Sequence, residues 1–305
     1  MNKNNKKSVG FILLDIFYIT MAILPLGVGI LLKLISTPPS DGGVTISGAR
    51  VFWHIDISSS NFLDIFITEA QINSVLVIIT ILFVCLFLTH GLKQKIWLKR
   101  QHLAEIIIEK VDSMVADNMG EPFKAFPPFI IAIMALSAFS SLITLLGLFP
   151  PTSDINIVGG WAILVFIIIT YYKMKCGLGY YIGGFMKPVF ILAPINAIGE
   201  FATPVSMAFR HYGNVMSGAV ISVLVSYFLG QFSTLLFGDG AISVFQVGLP
   251  AILSLYFDIF SGCLQAFIFA MLTMLNISTA FDAEEYERRK KKKLEKKLKK
   301  INGGN

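Results

Sequence analysis

Long apolar stretches are the feature that most constrains this chain, because a helix of about 20 apolar residues is long enough to span a lipid bilayer. Of the 305 residues, 55% are hydrophobic and only 14% are charged, whereas a soluble domain carries about 25% charged residues. The sequence therefore predicts an all-α integral membrane protein. We expect six membrane-crossing segments, at residues 9–35, 65–89, 126–149, 158–172, 188–237 and 243–279.

The positions of lysine and arginine predict how these segments are arranged, because such residues favour the cytoplasmic side of a membrane. Basic clusters occur near the N-terminus, at residues 93–100, at 173–187 and after Asp282. All four face one side only if residues 188–237 cross once. That segment is about 75 Å long as a helix, well beyond a ~30 Å bilayer core, so we expect it to tilt strongly or to begin in the membrane plane.

This arrangement predicts two long, tilted C-terminal helices joined by a turn at residues 238–240, with both chain termini in the cytoplasm. Lys33 and Arg50 then lie on the outer side, contrary to the charge rule. Residues 1–64 would form an additional N-terminal transmembrane helix and an outer loop. Residues 101–118 alternate apolar and charged side chains at helical spacing, which predicts an amphipathic helix at the membrane interface.

The C-terminal segment 282–305 is a basic tail, since ten of the 25 lysines and arginines lie between Arg288 and Lys300. No basic stripe interleaves with exposed aromatic residues, so we do not expect nucleic-acid binding. The three cysteines and four histidines have no metal-ligand spacing, and no nucleophile lies beside a base. We therefore expect no catalytic site in this chain, no bound cofactor, and membrane lipid around it.

Polar side chains recur at steps of three and four along the last two segments, which places them on one face of each helix. They are Asn196, Glu200, Thr203, Ser206, Arg210, Asn214 and Ser217 on the first, and Ser254, Asp258, Ser261 and Gln265 on the second. Small polar residues alone are explained by hydrogen bonds between packed helices. Arg210 is different, because its charge persists at any ordinary pH and costs at least ~2.5–3.5 kcal/mol in mid-membrane.

Three motifs carry a resemblance to a known family. The run TPVSMAFRHYGN at residues 203–214 resembles the fifth-helix signature of subunit a of F-type ATP synthases. LQAFIF at 264–269 is similar to the sixth-helix signature, and PTSDIN at 151–156 to the loop after the third conventional helix. The resemblance places the family's essential arginine at Arg210 and makes residues 65–281 the ion-translocating domain.

The resemblance implies a stator that lies beside a rotating ring of c subunits, with a b-subunit stalk and other ATP synthase subunits as partners. Arg210 would keep the ring carboxylate opposite it ionised and block leakage between two half-channels. Gln265 would support Arg210, and Asn214, one turn beyond Arg210, would also belong to the ion-translocating residues. Glu200 would serve the inner half-channel and Asp258 the outer one, with Asp154 as a further candidate for the outer half-channel. Ser206 and Ser217 would complete the polar path.

The resemblance also implies a bacterial inner membrane, and it leaves open whether the transported ion is a proton or sodium. Two departures from the family are visible: Ala219 stands where a glutamate is frequent, and Asp258 where histidine is frequent. We hypothesise that Asp258 takes over the outer relay. His211, next to the arginine, has no explanation from sequence. An ion-coupled secondary transporter and a membrane scaffold or assembly protein are the alternatives, although no inverted repeat supports the transporter.

Overall fold

The computed structural model describes residues 9–36, 48–55, 65–92, 99–186, 190–238 and 244–302. Helices make up most of this part of the chain. In chain order the regular elements are α1 (Val9–Ser36), β1 (Val51–Ile55), β2 (Ile65–Thr68), α2 (Glu69–Thr89), α3 (Lys99–Met119), α4 (Pro127–Leu142), α5 (Ile155–Lys175), α6 (Leu178–Phe185), α7 (Ala193–Phe237), α8 (Val244–Ser254), α9 (Gly262–Ala280) and α10 (Ala283–Asn302).

Six helical stretches in these ranges are long and apolar enough to cross a membrane. They are Gly10–Ser36, Glu69–Thr89, Pro127–Leu146, Ile155–Lys175, Ala193–Leu236 and Gly248–Ala280. This confirms the all-α membrane class and the expected number of crossings. The 45 residues of α7 form one helix, about 68 Å long, as the charge pattern required. A π-helical segment, Leu255–Ser261, joins α8 to α9, so the last crossing is also long.

Strand β1, in the loop predicted before the second crossing, pairs antiparallel with β2, which occupies the predicted start of that crossing. The prediction that the crossing begins at residue 65 was therefore wrong. Val51–Ile55 and Ile65–Thr68 are rich in β-branched and aromatic residues, which favour strands. Thr68 then starts α2 as its N-cap, since it accepts a hydrogen bond from the Gln71 amide while the Gln71 side chain accepts one from the Thr68 amide.

Other boundaries also differ from the predicted ones. The third crossing turns from α-helix to a 3₁₀ turn after Leu142 and ends before Gly147, which has a φ of +73°. The fourth begins at Ile155, because Asp154 caps it by accepting a bond from the Asn156 amide at 2.9 Å. The short α6 and the helical form of the tail, α10, were not predicted.

The N-terminal helix α1 packs against α2 and is held at both ends. At one end, Arg100 pairs with the Asp15 carboxylate and donates to the His90 carbonyl oxygen at 2.6 Å. At the other, the Lys33 ammonium donates to the carbonyl of Gly147 and Arg50 donates to that of Ser36. Cations stabilise the carboxyl ends of helices, which gives a physical reason for the two basic residues that opposed the charge rule.

The amphipathic α3 contributes Val111, Val115 and Met119 to the main apolar core, while its Leu103 and Ile106 remain exposed. Exposed apolar side chains on such a helix are typical of a membrane-surface position. The core itself lies between α4, α5 and α9, and includes the fully buried Ile130, Val165, Phe269, Met274 and Ile277. Helix α7 lies against α5, α8 and α9.

Candidate functional site

One side of α7 exposes Arg210 among small side chains. We call this the arginine face and define it as Gly199, Thr203, Ser206, Arg210, Gly213 and Ser217, which are successive neighbours at steps of three and four. Ser206, Arg210 and Ser217 are exposed, and a Cβ added at Gly199 or Gly213 would meet no atom within 4 Å. Arg210 has no hydrogen bond or ion pair with any residue that the structure describes. The face is therefore open to a partner outside the chain.

The neighbouring His211 points the opposite way, into the protein. It is fully buried between the rings of Trp161 and Phe269, and its Nε2 lies 3.2 Å from the Ser137 hydroxyl of α4. Met207 is buried with it. This explains the residue that sequence analysis left unexplained: His211 belongs to the interior side of α7, and Arg210 is consequently turned outward.

A polar contact joins α7 to the π-helical segment. The Ser261 hydroxyl donates to Asn214 Oδ1 at 2.8 Å, so these two predicted polar lines meet at this point. Close packing accompanies the contact, since a Cβ on Gly218 would lie 3.1 Å from the Phe257 side chain. Sequence analysis explained the small polar residues by hydrogen bonds between packed helices, and Asn214 forms such a bond.

Asp258 lies within the π-helical segment and is partly buried. The Ser254 hydroxyl donates to its Oδ2 at 2.5 Å. Gln265 lies further along, in α9, with only 7% of its surface exposed and no hydrogen bond to a described residue. A π-helix changes the angular spacing of side chains and is frequent at functional sites. The apolar sequence around Asp258 contains no pattern that predicts this π-helical segment.

Glu200 lies on the wall of a second polar feature, a cavity of about 420 Å³ between α5, α6, α7 and the end of α9. The Glu200 side chain is 7% exposed, and its carboxylate pairs with Lys173 at 3.0 Å and accepts a hydrogen bond from the Tyr181 hydroxyl at 3.0 Å. Burial and that hydrogen bond raise the pKa of Tyr181 to about 12. Sequence analysis placed Lys173 in a basic loop and missed Tyr181, because a tyrosine in a glycine-rich stretch carries no distinctive signal.

Asp154 has a different environment. It caps α5, and its Oδ2 accepts a weak bond from the Thr68 hydroxyl at 3.4 Å. Its hydrogen bonds in the described part of the chain go to these groups and not to Asp258. The structure therefore brings together Asn214 with Ser261, Asp258 with Ser254, and Glu200 with Lys173, while Asp154 contacts Thr68, the last residue of β2.

Six described helical stretches that are long and apolar enough to cross a membrane, with an exposed arginine and polar clusters on the long C-terminal helices, define a multi-spanning membrane protein. A sequence model of the family described as ATP synthase A chain matches residues 72–278. This range contains most of α2, all of α3 to α8, the π-helical segment and most of α9. The chain therefore belongs to the ATP synthase A chain family.

Individual relatives of the chain are also ATP synthase a subunits. The chain is 34% identical to ATP synthase subunit a of Desulforamulus reducens over 186 residues, which are 59% of this chain and 66% of that protein. It is 30% identical to ATP synthase subunit a of Trichlorobacter lovleyi over 225 residues, 71% of this chain and 90% of the relative. It is 32% identical to ATP synthase subunit a of Geotalea daltonii over 212 residues, which are 68% of this chain and 85% of that protein.

Proposed function

We propose that this chain is the ion-translocating stator subunit of an ATP synthase membrane sector, in a bacterial inner membrane with both termini in the cytoplasm. The observation that carries the proposal is the exposure of Arg210 on a polar face near the middle of the Ala193–Leu236 span. A guanidinium left against lipid there costs at least ~2.5–3.5 kcal/mol. A carboxylate supplied by a partner removes this cost.

The arginine face fits a partner helix that must approach closely and then move on. Its glycines, serines and threonine leave room for close contact between helix backbones. A unit-charge pair at 4 Å contributes about 4 kcal/mol at an effective dielectric of 20, which is enough to ionise a carboxyl group that faces Arg210. Because no carboxylate of the described chain occupies that position, each carboxylate of a rotating c ring could take it in turn. A b-subunit stalk and other subunits would hold the stator in place.

The cavity beside Glu200 is the best candidate for the inner half-channel. Glu200 precedes Arg210 by ten residues, or about 15 Å of helix, and Thr203 lines the same cavity and belongs to the arginine face. An ion could therefore pass from the Lys173–Glu200–Tyr181 cluster toward the ring. Proton and sodium remain equally compatible with this path, because the ion-binding carboxylate belongs to the ring.

For the outer half-channel we propose Asp258 as the relay, with Asn214 and Ser261 between it and the arginine face. Gln265 would support Arg210, Ser206 and Ser217 would complete the polar path, and Asp154 would stand at its outer entrance. Replacing Asp258 with alanine should abolish ion flux through the assembled complex. Asp154→Ala is the comparison variant, with a weaker expected effect on flux because the Asp154 oxygens already accept hydrogen bonds from the Asn156 amide and the Thr68 hydroxyl. Undiminished flux in Asp258→Ala would remove Asp258 from the path.

Cysteine cross-linking in the assembled complex tests the docking of the ring. Ser206→Cys lies on the arginine face, and Ile163→Cys, at a position 60% exposed on α5, is the control. The exposed Cys85 and Cys263 are first changed to serine. We expect Ser206→Cys to form a disulfide with a cysteine beside the carboxylate of the ring subunit, and Ile163→Cys to form none. The absence of that disulfide would favour a transporter or scaffold instead.

A further inference from the structure

A cationic groove lies between the end of α5 and the C-terminal helix α10, and its α10 wall lies outside the part of the chain that the family match covers. It has a volume of about 790 Å³, within the range of small-ligand sites. Six basic side chains line it against two carboxylates, Glu285 and Glu295. The basic residues are Lys175, Arg288, Arg289, Lys290, Lys292 and Lys293. The groove thus carries a surplus of four positive charges.

The inner wall of the groove is fixed by specific contacts. Glu285 is buried, accepts a bond from Arg289 Nε at 2.8 Å and pairs with Arg288 at 2.5 Å. The hydrogen bond from Arg289 is the main cause that lowers the pKa of Glu285. Arg289 lies so close to Gly177 that a Cβ there would overlap its guanidinium. Gly177 also has a φ of +109°, which glycine alone adopts readily.

The start of α10 is anchored as well. Asp282 accepts a bond from the Tyr180 hydroxyl at 2.6 Å and caps the helix by accepting from the Glu285 amide at 3.0 Å. The Asp282 amide in turn donates to the Cys176 sulfur at 3.3 Å. The basic residues that follow are therefore held in a defined position beside α5 and do not extend from a free tail.

The groove opens at the boundary of the membrane. One candidate span ends at Lys175 and another at Ala280. The rings of Tyr172, Phe281 and Tyr286 pack at this level, with centroids 5.4–5.7 Å apart, and Lys175 lies over the Tyr172 ring at 5.0 Å. Aromatic side chains gather where lipid headgroups meet water, so the groove faces the headgroup layer.

We propose that this groove binds the phosphate-bearing headgroup of an anionic phospholipid and so anchors α10 to the membrane surface. A surplus of positive charge at headgroup depth attracts anionic lipids of the cytoplasmic leaflet. The planar guanidinium of Arg288, at the groove wall, matches phosphate oxygens in geometry. The groove begins beside the aromatic layer, at Lys175 and Tyr286, where lipid headgroups are at hand, and this position favours a lipid over an acidic protein segment. The proposal does not depend on the role of Arg210.

Fluorescence quenching by brominated lipids tests the site in the whole complex. A fluorophore is attached at Leu294→Cys, which lines the groove and is 61% exposed, after Cys85 and Cys263 are changed to serine. The complex is placed in phosphatidylcholine nanodiscs that contain either brominated phosphatidylglycerol or brominated phosphatidylcholine at equal mole fraction. We expect stronger quenching by the brominated phosphatidylglycerol, and a smaller difference between the two lipids at high salt.

Two lysines of α10 give a matched pair of variants. Lys292 lines the groove, while Lys291 does not, and each substitution to glutamine removes one charge. Lys292→Gln should lower the preference for phosphatidylglycerol about fivefold, as loss of one membrane-proximal charge predicts, and Lys291→Gln should change it much less. Equal quenching by the two lipids would overturn the proposal. Equal losses in the two variants would also overturn it, because they indicate diffuse attraction without a site. A fluorophore that is shielded by another subunit, with no lipid preference, would indicate an acidic protein partner instead.

Discussion

Replacing Ser137 with alanine should destabilise the protein mainly through His211. The Ser137 hydroxyl is the partner of His211 Nε2, and the other ring nitrogen, Nδ1, is buried without a hydrogen-bond partner in the described structure. Both residues are 0% exposed. In Ser137→Ala the whole imidazole therefore lacks a polar contact, which costs about 1–3 kcal/mol in a buried site. Hydrogen bonds between membrane helices average ~0.6 kcal/mol and reach ~1.7, so we expect a loss of about 1–2 kcal/mol.

Ser140→Ala is the matched control, because Ser140 is equally buried on α4 and its hydroxyl has no partner in the described structure. It should change stability little. The double variant Ser137→Ala, His211→Leu should recover most of the loss, since both polar groups are then absent. The assay is unfolding of the purified full chain in mixed micelles titrated with dodecyl sulfate and followed by circular dichroism. If Ser137→Ala were no less stable than Ser140→Ala, or the double variant as unstable as the single one, the His211–Ser137 contact would be refuted.

Three further predictions concern other parts of the molecule. Asp15→Ala should destabilise the packing of α1 by about 3–5 kcal/mol in the same titration, because it leaves the Arg100 guanidinium, whose side chain is 10% exposed, without its carboxylate; an unchanged midpoint would contradict the pairing. Tyr181 has a folded-state pKa of about 12, above its unfolded value near 10, so its contribution to stability is complete below pH 10 and is lost as the pH rises through 12. Ultraviolet difference titration against Tyr181→Phe should show this tyrosine ionising late, and ionisation near pH 10 would refute its contact with Glu200. Gly177→Ala should displace Arg289 and speed tryptic cleavage of α10, and an unchanged cleavage rate would show that the groove wall tolerates a Cβ.

The number and type of membrane crossings could be predicted from the sequence because bilayer thickness imposes a minimum length on an apolar helix. Charge placement further resolved residues 188–237 into one crossing, which α7 confirms. The predicted ends of the helices were wrong where side-chain contacts determine the helix boundary. Thr68 and Asp154 end one element and begin the next through hydrogen bonds of their side chains, and the hairpin before α2 depends on pairing between strands nine residues apart.

The candidate site was predictable only in part. A charged residue in apolar sequence stands out by itself, so Arg210 could be singled out, and steps of three and four gave the face on which it lies. Contacts between helices carry no such signal. The His211–Ser137 pair joins residues 74 positions apart, and the cluster of Glu200 with Lys173 and Tyr181 depends on how α5, α6 and α7 fold together. The π-helical segment around Asp258 likewise depends on packing that no local pattern encodes.

Ion flux in the Arg210→Ala complex is the measurement that tests the central claim most directly. The assembled complex is reconstituted in vesicles, and ATP-driven ion uptake and passive ion leak are recorded beside the unaltered protein and Arg210→Lys, which retains a positive charge without the guanidinium geometry. We predict that Arg210→Ala abolishes driven uptake while the complex remains assembled, because the ring carboxylate then lacks the charge that keeps it ionised. Undiminished uptake in Arg210→Ala would show that Arg210 is structural and would contradict the account.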